Sequence, residues 1–291
     1  MPDHPLAEVF GHTTTDFGDR AQRFRKNKLC PFNNKVPSCT KDKAKDPLGV
    51  CSVYHGDVSV ITCPIRFRED WMIADHAADF FFEEGTEWTS LTEVRMVDAD
   101  GKSAGNIDVV LVAYDKRGQV VDFGSLEVQA VYISGNVRDA FAHYMSNCKK
   151  NQKMDWTKEP NYPRPDFLSS SRKRLAPQLM FKGGILNAWG KKMAVALDAP
   201  FFQTLPKLNE VDRKEADMAW MIYDLAGSDA GDSLSLRKVR TVYTKFSEAL
   251  SRITRPKVGS VDDFMKVLQS KVDEKMESAP INRTMESPFP S

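Results

Sequence analysis

The chain has 291 residues, of which 41% are hydrophobic and 28% are charged. These fractions are ordinary for a globular protein, and the length allows one large core with a small satellite module. No apolar run approaches the length of a membrane span, and the N-terminus lacks the basic-then-apolar pattern of a signal peptide. We therefore expect a cytoplasmic protein with no membrane contact.

The net charge of +1 hides a segregated distribution. Residues 20–45 contain nine lysines and arginines against one acid, and residues 149–192 contain eleven against three. Each of these segments therefore carries +8, which leaves −15 for the rest of the chain. Two basic surfaces of this kind fit a polyanionic partner, although solvated protein faces produce the same pattern.

The texture of the sequence divides the chain into four segments. They are a basic N-terminal arm with a short helix (1–29), a cysteine-rich module (30–66), a large core (67–277) and a disordered tail (278–291). The module is poor in periodic structure and needs a cross-link to fold. The tail has three prolines and few apolar residues, which favours disorder.

The first half of the core is predicted to hold a helix, three strands and a second helix. Residues 70–84 repeat apolar side chains at three- and four-residue spacing, which is typical of an amphipathic helix. The strands follow at 91–97, 106–114 and 119–133, and the second helix at 137–145. The middle strand is apolar on both faces, so we expect it to be buried. Gly124 is expected to mark a bulge or bend in the third strand.

The second half of the core begins with a polar, proline-containing segment at 147–170, which is predicted to be a loop. A helix is predicted at about 171–190, although Pro177 inside it favours a kink or a later start. Two further strands are predicted at 192–197 and 218–225, followed by two helices near 236–253 and 261–276.

Four of the five cysteines fall within 34 residues and form the pattern C-x8-C-x11-C-x11-C, at Cys30, Cys39, Cys51 and Cys63. In a cytosolic chain such a cluster favours a metal ion over disulfides. Four thiolates suit zinc or iron and close a tetrahedral shell, so the site would be structural. Replacement of one ligand by His55, or buried thiols without a metal, are the alternatives. Cys148 lies apart and is expected to be an ordinary cysteine.

Three polar side chains interrupt two apolar strands, Asp108 in the first and Glu127 and Gln129 in the second. Neighbouring strands would bring Asp108 close to Glu127, and the two-residue period places Glu127 and Gln129 on one face. A buried acid is costly unless it is paired or binds a metal, and two adjacent acids repel each other unless a cation lies between them. The pattern predicts a divalent-metal site, with two strand acids at an exposed edge as the alternative.

A divalent ion held by the two carboxylates, and by the carbonyl of Val128, would polarise a phosphodiester and lower the pKa of a bound water. This layout is similar to the D…(D/E)-x-K arrangement of many nucleases, with glutamine in place of lysine. Because Gln129 is uncharged and takes no proton at neutral pH, we expect it to position the attacking water while the metal activates it. Glu93 on the preceding strand is a further candidate, and a solvent-facing glutamate is the alternative there.

The order of these features resembles the NotI-type restriction endonucleases. The segments Cys30-Pro-Phe, Ser38-Cys39, Gly49-Val-Cys51 and Thr62-Cys63-Pro64 are similar to that family's four-cysteine iron-binding fold. The strands that contain Ile107-Asp108 and Leu126-Glu127-Val128-Gln129 match its nuclease core, which has the E-x-Q variant. The likeness covers about residues 25–225.

The resemblance implies an α/β fold of the PD-(D/E)xK restriction-endonuclease type, a mixed sheet flanked by helices, with a small N-terminal four-cysteine metal-binding module. It implies a type II enzyme that acts as a homodimer on double-stranded DNA, needs Mg²⁺ and cuts palindromic GC-rich sites. A cognate DNA methyltransferase is expected in the same restriction-modification system, but not as a stable partner.

The resemblance also implies roles for particular residues. Asp108, Glu127 and Gln129 occupy the catalytic positions, with Asp108 and Glu127 as the Mg²⁺ ligands, and Glu93 completes the set. The four cysteines hold iron structurally, whereas composition alone suggests zinc.

Two basic stretches are predicted to contact DNA phosphates. Arg172, Lys173 and Arg174 begin a helix, where cations oppose the helix dipole, so a phosphate partner is a natural reason for them. Arg25 and Lys26 lie on the arm before the first cysteine, and a rigid metal module would direct that arm at a groove. For any one of these residues, a solvated surface position is the alternative.

The residues leave two other functions open. A non-catalytic, metal-stabilised, sequence-specific DNA-binding protein would keep the basic surfaces and use the strand acids structurally. A rubredoxin-like electron carrier would use iron held by four cysteines, but it leaves the large core without a role.

Overall fold

A six-stranded mixed sheet forms the centre of the larger of two units. The computed structural model describes residues 2–42, 45–227 and 233–277, and the chain divides into a unit at 1–254 and a unit at 255–291. From one edge to the other, the strands are Leu234–Thr244 (β12), Met218–Gly227 (β11), Met193–Asp198 (β10), Val120–Gln129 (β7), Ser103–Tyr114 (β6) and Trp88–Val97 (β5).

The middle of this sheet is its most buried part. β10 runs parallel to both β7 and β11, and the other neighbours pair antiparallel. Every residue of β10 is buried, and all but its last, Asp198, are apolar. A strand of this composition requires cover on both faces, which helices provide. The mixed sheet flanked by helices that we expected from the sequence is therefore confirmed.

Each face of the sheet has its own helical layer. On the first face lies a continuous helical run at 167–188, followed later by α9, Phe246–Thr254. The run consists of α5 (Phe167–Ser170), a π-helical stretch (Ser171–Leu175), α6 (Ala176–Gln178), a second π-helical stretch (Leu179–Gly183) and α7 (Gly184–Ala188). On the second face lies α2, Met72–Phe81, which follows a 3₁₀ helix at Pro64–Trp71.

The N-terminal part of the chain forms a second, four-stranded antiparallel sheet. In spatial order its strands are His12–Thr13 (β2), Leu6–Val9 (β1), Val50–His55 (β3) and Val58–Ile61 (β4). Residues 1–29, which the sequence assigns to an arm, therefore contribute β1, β2 and the helix α1 at Asp19–Lys26. β1 is buried throughout, because it packs beneath α3 at Val137–Ser146.

The remaining elements are short. They are β8 (Tyr132–Ser134), α4 (Cys148–Asn151), β9 (Arg164–Asp166) and α8 (Ala199–Thr204). α4 and β9 fall in the segment expected to be a loop at 147–170, and β8 pairs with β9. The described part of the second unit contains α10, Val261–Glu277, close to the expected helix, whereas the expected disordered tail lies outside the described residues. No helix in the part of the chain that the structure describes is both long and apolar enough to cross a membrane.

The helix expected near 236–253 is wrong in its first half. Leu234–Thr244 is the edge strand β12, and the helix begins only at Phe246. The segment from Val239 to Tyr243 is rich in β-branched and aromatic residues, and pairing with β11 satisfies its backbone. Charged side chains along the outer edge also suit a strand that has no neighbour on that side.

Gly124 does not mark a bulge. It pairs in regular register with Leu111, and no shift interrupts the ladder there. A Cβ at this position would overlap the ring of Phe81, which packs from α2 directly onto the strand. The glycine is therefore required by the close approach of a helix rather than by backbone conformation.

A buried arginine joins the two sheets. Arg66 is fully buried, and its Nε donates to both carboxylate oxygens of Glu8 at 3.0 Å. Its other nitrogens donate to Glu69 at 2.7 Å and to the carbonyl of Leu234 at 2.9 Å, while its plane lies 4.2 Å from the ring of Phe32. Glu8 belongs to β1 and Leu234 begins β12, so this guanidinium connects the N-terminal sheet to an edge of the central one.

Replacing this arginine tests the connection. Arg66→Met should lower the free energy of unfolding by about 3–5 kcal/mol, because it leaves Glu8 buried without its counter-charge. Chemical denaturation measures the change. Glu210→Ala is the control, since Glu210 is exposed and pairs with exposed Arg240, so its loss should cost less than about 1 kcal/mol. Equal effects of the two substitutions would contradict the assignment.

Candidate active site

Asp108 and Glu127 lie together where β6 and β7 begin to separate. The paired ladder runs to Val109 and Leu126, and Asp108 and Glu127 are the next residue on each strand. Beyond that point a side-chain hydrogen bond joins the two strands, because Oδ2 of Asp108 accepts the N–H of Val128 at 2.9 Å. One carboxylate oxygen of Asp108 is therefore held by the backbone of the neighbouring strand.

Glu127 and Gln129 point from β7 toward the first face of the sheet. They are almost completely buried, at 1% and 0% exposure, and they alternate with Leu126 and Val128, which belong to the core of the second face. The helical run at 167–188 covers them. The expectation that both side chains share one strand face is thus met by the structure.

The helical run brings two polar side chains to this pair. Lys182, which is 4% exposed, donates from Nζ to Oε2 of Glu127 at 2.5 Å and to the carbonyl of Asn106 at 2.8 Å. One turn earlier, the side-chain carbonyl of Gln178 accepts a hydrogen bond from the amide nitrogen of Gln129. Glu127 of the strand therefore contacts Lys182 of the helical run, and Gln129 contacts Gln178.

The electrostatics of Glu127 reflect this crowding. Burial, and to a smaller extent the negative charge of Asp108, raises its pKa to about 8, although the Lys182 ammonium acts in the opposite direction. The ammonium of Lys182 alone therefore does not keep this carboxyl group ionised at neutral pH, and a further cation would favour its ionised form.

Two oxygens of the candidate site have no hydrogen-bond partner in the described part of the chain. They are Oε1 of Glu127 and Oε1 of Gln129, both buried. Buried polar atoms are nearly always satisfied, so an unpartnered carboxylate oxygen beside a second carboxylate points to a ligand. Oxygen donors from two acids fit Mg²⁺, which takes one or two carboxylates and completes its shell with water and phosphate oxygens. The residues present therefore fit a magnesium ion.

Glu93 lies beside Asp108 in the strand register but is not part of the buried cluster. β5 pairs with β6 through Thr92 to Val109 and through Val94 to Ile107, which places Glu93 opposite Asp108. Glu93 is exposed and has a left-handed backbone with φ of 58°, which is unusual for a glutamate within a strand. The structure brings Asp108, Glu127 and Gln129 together and leaves Glu93 at the solvent side of Asp108.

The four cysteines of the predicted module come from two hairpins. Cys30 and Cys39 lie on two segments joined by an isolated β-bridge between Leu29 and Ser38 and by the backbone hydrogen bonds beside it, and Cys51 and Cys63 lie at the open end of β3 and β4. Burial, with smaller contributions from Cys63 and Cys39, raises the pKa of Cys30 to about 11. Burial also raises the pKa of Cys39 and that of Cys51, and Cys63 adds to both.

These thiols are close enough to influence one another. Within the residues described, however, no group of three or more His, Cys, Asp or Glu side chains is arranged to hold a metal ion. All five cysteines are free thiols. A metal at this cluster therefore stays a prediction.

The expected DNA contacts have different environments. Arg172 and Lys173 are exposed on the helical run, and Arg174 lies over the ring of Tyr132 at 5.3 Å. Lys26 is exposed, but Arg25 is buried and donates to two backbone carbonyls at 2.5 Å, which assigns it to the fold.

The family model of the restriction endonuclease NotI matches residues 15–236. The chain belongs to the NotI restriction endonuclease family. The match spans the cysteine cluster, the carboxylate strands and the helical run of this NotI-family chain. Members of this family are deoxyribonucleases, which implies that the chain binds DNA. No sequence among curated proteins matches this chain.

The positions of Lys182 and Gln178 in the site do not follow from the basic segment at 149–192 to which both belong. Lys182 is buried and so is not part of an exposed basic surface. The available signal was the four-residue spacing of two polar side chains on a helix that is otherwise apolar toward the sheet, with Leu175, Leu179 and Leu186 in the core. The four-residue spacing of Gln178 and Lys182 on the helical run is similar in length to the two-residue spacing of Glu127 and Gln129 on β7.

The raised pKa of Glu127 predicts a particular dependence of stability on pH. Without divalent ions, the folded protein keeps a proton on Glu127 that the unfolded chain releases above about 4.5, its ordinary value. The free energy of unfolding should therefore fall as pH rises from about 4.5 to about 8. Glu127→Gln should flatten this decline in denaturation series recorded with a chelator. The exposed control Glu210→Gln should keep it, and an unchanged slope in Glu127→Gln would contradict the pKa assignment.

Proposed function

We propose that this NotI-family chain is a type II restriction endonuclease that hydrolyses double-stranded DNA at a GC-rich palindromic site with Mg²⁺. The observation that carries the proposal is the pair Asp108 and Glu127 at the point where two buried strands separate, with a buried carboxylate oxygen left without a partner. Membership of the restriction endonuclease family supports the same chemistry.

The chain's own residues would divide the work of hydrolysis. Bound Mg²⁺ would supply a Lewis acid that polarises the phosphodiester and acidifies a water. Asp108 and Glu127 would hold it through the oxygens that the backbone and Lys182 do not occupy. Gln129, anchored through its amide nitrogen by Gln178, keeps its carbonyl oxygen free to accept a hydrogen bond from the attacking water.

The reaction balances without any further reagent. The water oxygen bonds to phosphorus as the bond between phosphorus and one ester oxygen breaks. One water proton ends on the leaving oxygen, and the other is released to solvent from the new phosphate monoester.

A palindromic DNA site has two-fold symmetry, so we infer that the enzyme acts as a homodimer whose two copies each cut one strand. Arg172 and Lys173, exposed on the helical run whose other face holds the catalytic pair, are the proposed phosphate contacts. Such contacts set affinity and register, whereas sequence is read at base edges. The cognate methyltransferase of the system would protect host DNA without binding this chain stably.

A non-catalytic DNA-binding protein is the second candidate. The observation in its favour is the contact between Lys182 and Glu127, since an ammonium can neutralise a buried carboxylate without any metal. In that case the chain binds DNA and leaves it intact with every divalent ion.

Cleavage of DNA tests the main proposal. The purified chain, incubated with Mg²⁺ and a panel of GC-rich plasmids, should produce discrete fragments. Asp108→Asn should slow cleavage by roughly 1,000-fold, because it removes a metal ligand worth several kcal/mol in the transition state. Asp115→Asn makes the same chemical change in the exposed turn after β6 and should cut at the normal rate. No fragments from any substrate, or equal rates for both variants, would refute the assignment.

We also propose that Cys30, Cys39, Cys51 and Cys63 hold iron, with zinc as the alternative. Thiols with raised pKa values release protons when a metal binds, and a closed four-thiolate shell adds folding energy but has no open position for chemistry. Lys41 joins the segment of Cys39 to the second hairpin by donating from Nζ to the carbonyls of Val50 and Thr62, and the metal would add a further cross-link.

Removing one ligand tests this role. Cys39→Ser should lose bound metal and lower the melting temperature, while its remaining folded fraction keeps cutting DNA. Elemental analysis and thermal unfolding measure the two effects. The matched control is Cys148→Ser, since Cys148 lies beside Met145 and outside the cluster. If Cys39→Ser keeps its metal, or stays fully folded without it, the structural site is wrong.

A further inference from the structure

A buried ammonium group stands in the candidate active site, although the strand position that a nuclease lysine usually takes is Gln129. We propose that Lys182, from the helical run, is the cation that contacts the reacting phosphodiester. This inference rests on the proposed nuclease function and adds a catalytic residue to it.

The geometry that places Lys182 there is a match between a strand and a helix. Two residues along β7 advance by about 6.6 Å, which is close to the advance of one helical turn, about 5.4 Å in an α-helix. Gln178 and Lys182 can therefore contact Gln129 and Glu127 at the same time, as they do. The helix can make this pairing only if the side chains of Gln178 and Lys182 both face β7.

The helical run is unusual in a way that serves this pairing. Two π-helical stretches, Ser171–Leu175 and Leu179–Gly183, flank the short α6. Pro177 has no N–H and interrupts the normal helical hydrogen bonds at that point, which the wider turns accommodate. Wider turns also change the phase of the helix, and such turns occur frequently at functional sites.

A purely structural role is a poor explanation for a lysine at this place. Its neighbours on the helix, Leu179 and Leu186, are core residues, and burying an ammonium beside them carries a desolvation cost. An apolar residue at position 182 and a glutamine at position 127 would fill the same space, and there would then be no charge to neutralise. The position therefore carries two costs, a buried acid and a buried base, that a packed core avoids.

The charge balance explains what the lysine adds. Asp108 and Glu127 together carry −2, which a divalent ion alone would neutralise. Lys182 then leaves the site at +1, matched to one phosphodiester anion. As charge develops on the phosphate oxygens during hydrolysis, a fixed ammonium in a buried site stabilises it.

Among the residues that the structure describes, the Lys182 ammonium has two hydrogen-bond partners. Of its three N–H groups, one is donated to Glu127 and one to the carbonyl of Asn106. These two bonds fix the position of the nitrogen, and the third N–H is available to an oxygen of the reacting phosphate.

The test uses Lys182→Met, which keeps the aliphatic stem and removes the charge. We expect kcat for DNA cleavage with Mg²⁺ to fall by about 100-fold or more, as for the loss of one transition-state donor. KM should stay within about threefold, because one contact among many phosphate contacts contributes little to ground-state binding. Affinity for uncut DNA in Ca²⁺ and binding of Mn²⁺ by calorimetry should both persist within about tenfold, since the free carboxylate oxygens remain.

Lys116→Met in the exposed turn after β6 is the matched control and should cut at the normal rate. A Lys182→Met protein that cuts within about threefold of the unchanged chain overturns the inference and leaves the nuclease proposal intact. An unchanged chain that cuts no DNA ends both.

A second variant decides the matter if Lys182→Met does not fold. Lys182→Gln removes the charge but keeps N–H donors on the side chain, and it leaves Gln129 unchanged. We expect kcat with Mg²⁺ to fall by about 100-fold, as for the loss of one transition-state donor. A folded Lys182→Gln protein that cuts within about threefold of the unchanged chain would overturn the assignment.

Discussion

The burial of the Glu127 carboxylate beside Asp108 is the constraint on which the rest of the site depends. A carboxylate at 1% exposure, next to a second acid, must be neutralised. The chain meets this requirement only in part, with a backbone N–H on Asp108 and an ammonium on Glu127, because the pKa of Glu127 stays raised to about 8 beside that ammonium. The N–H of Val128 binds one oxygen of Asp108, and Lys182 binds one oxygen of Glu127. The second oxygen of each carboxyl group can then bind a cation.

The fold repeats this solution where its two sheets meet. Arg66 is buried between Glu8 and Glu69 and donates to the start of β12, so one guanidinium satisfies two acids and a backbone carbonyl. This contact fixes the cysteine-bearing sheet against the nuclease core. Both buried ion pairs are costly in isolation, and both occur at positions where separate segments of the chain must be held in one arrangement.

Much of this could be predicted from local patterns. The buried strand with Asp108, the shared face of Glu127 and Gln129 and the mixed sheet follow from two-residue periodicity and from apolar content. The edge strand β12 could not, because its pairing with β11 overrides a pattern that also suits a helix. Lys182 was missed for a related reason: its position depends on π-helical turns around Pro177 and on a helix 55 residues away from Glu127 in sequence.

The location of a divalent ion tests the central claim most directly. Crystals of the unchanged chain grown with uncut DNA and Mn²⁺, measured at the manganese absorption edge, should give an anomalous peak at coordination distance from Asp108 and from Oε1 of Glu127. Lys182 should stay on Oε2, with its third N–H toward a phosphate oxygen. A peak elsewhere, or none beside these carboxylates while DNA is bound, would contradict the account of this site as a magnesium-dependent nuclease centre.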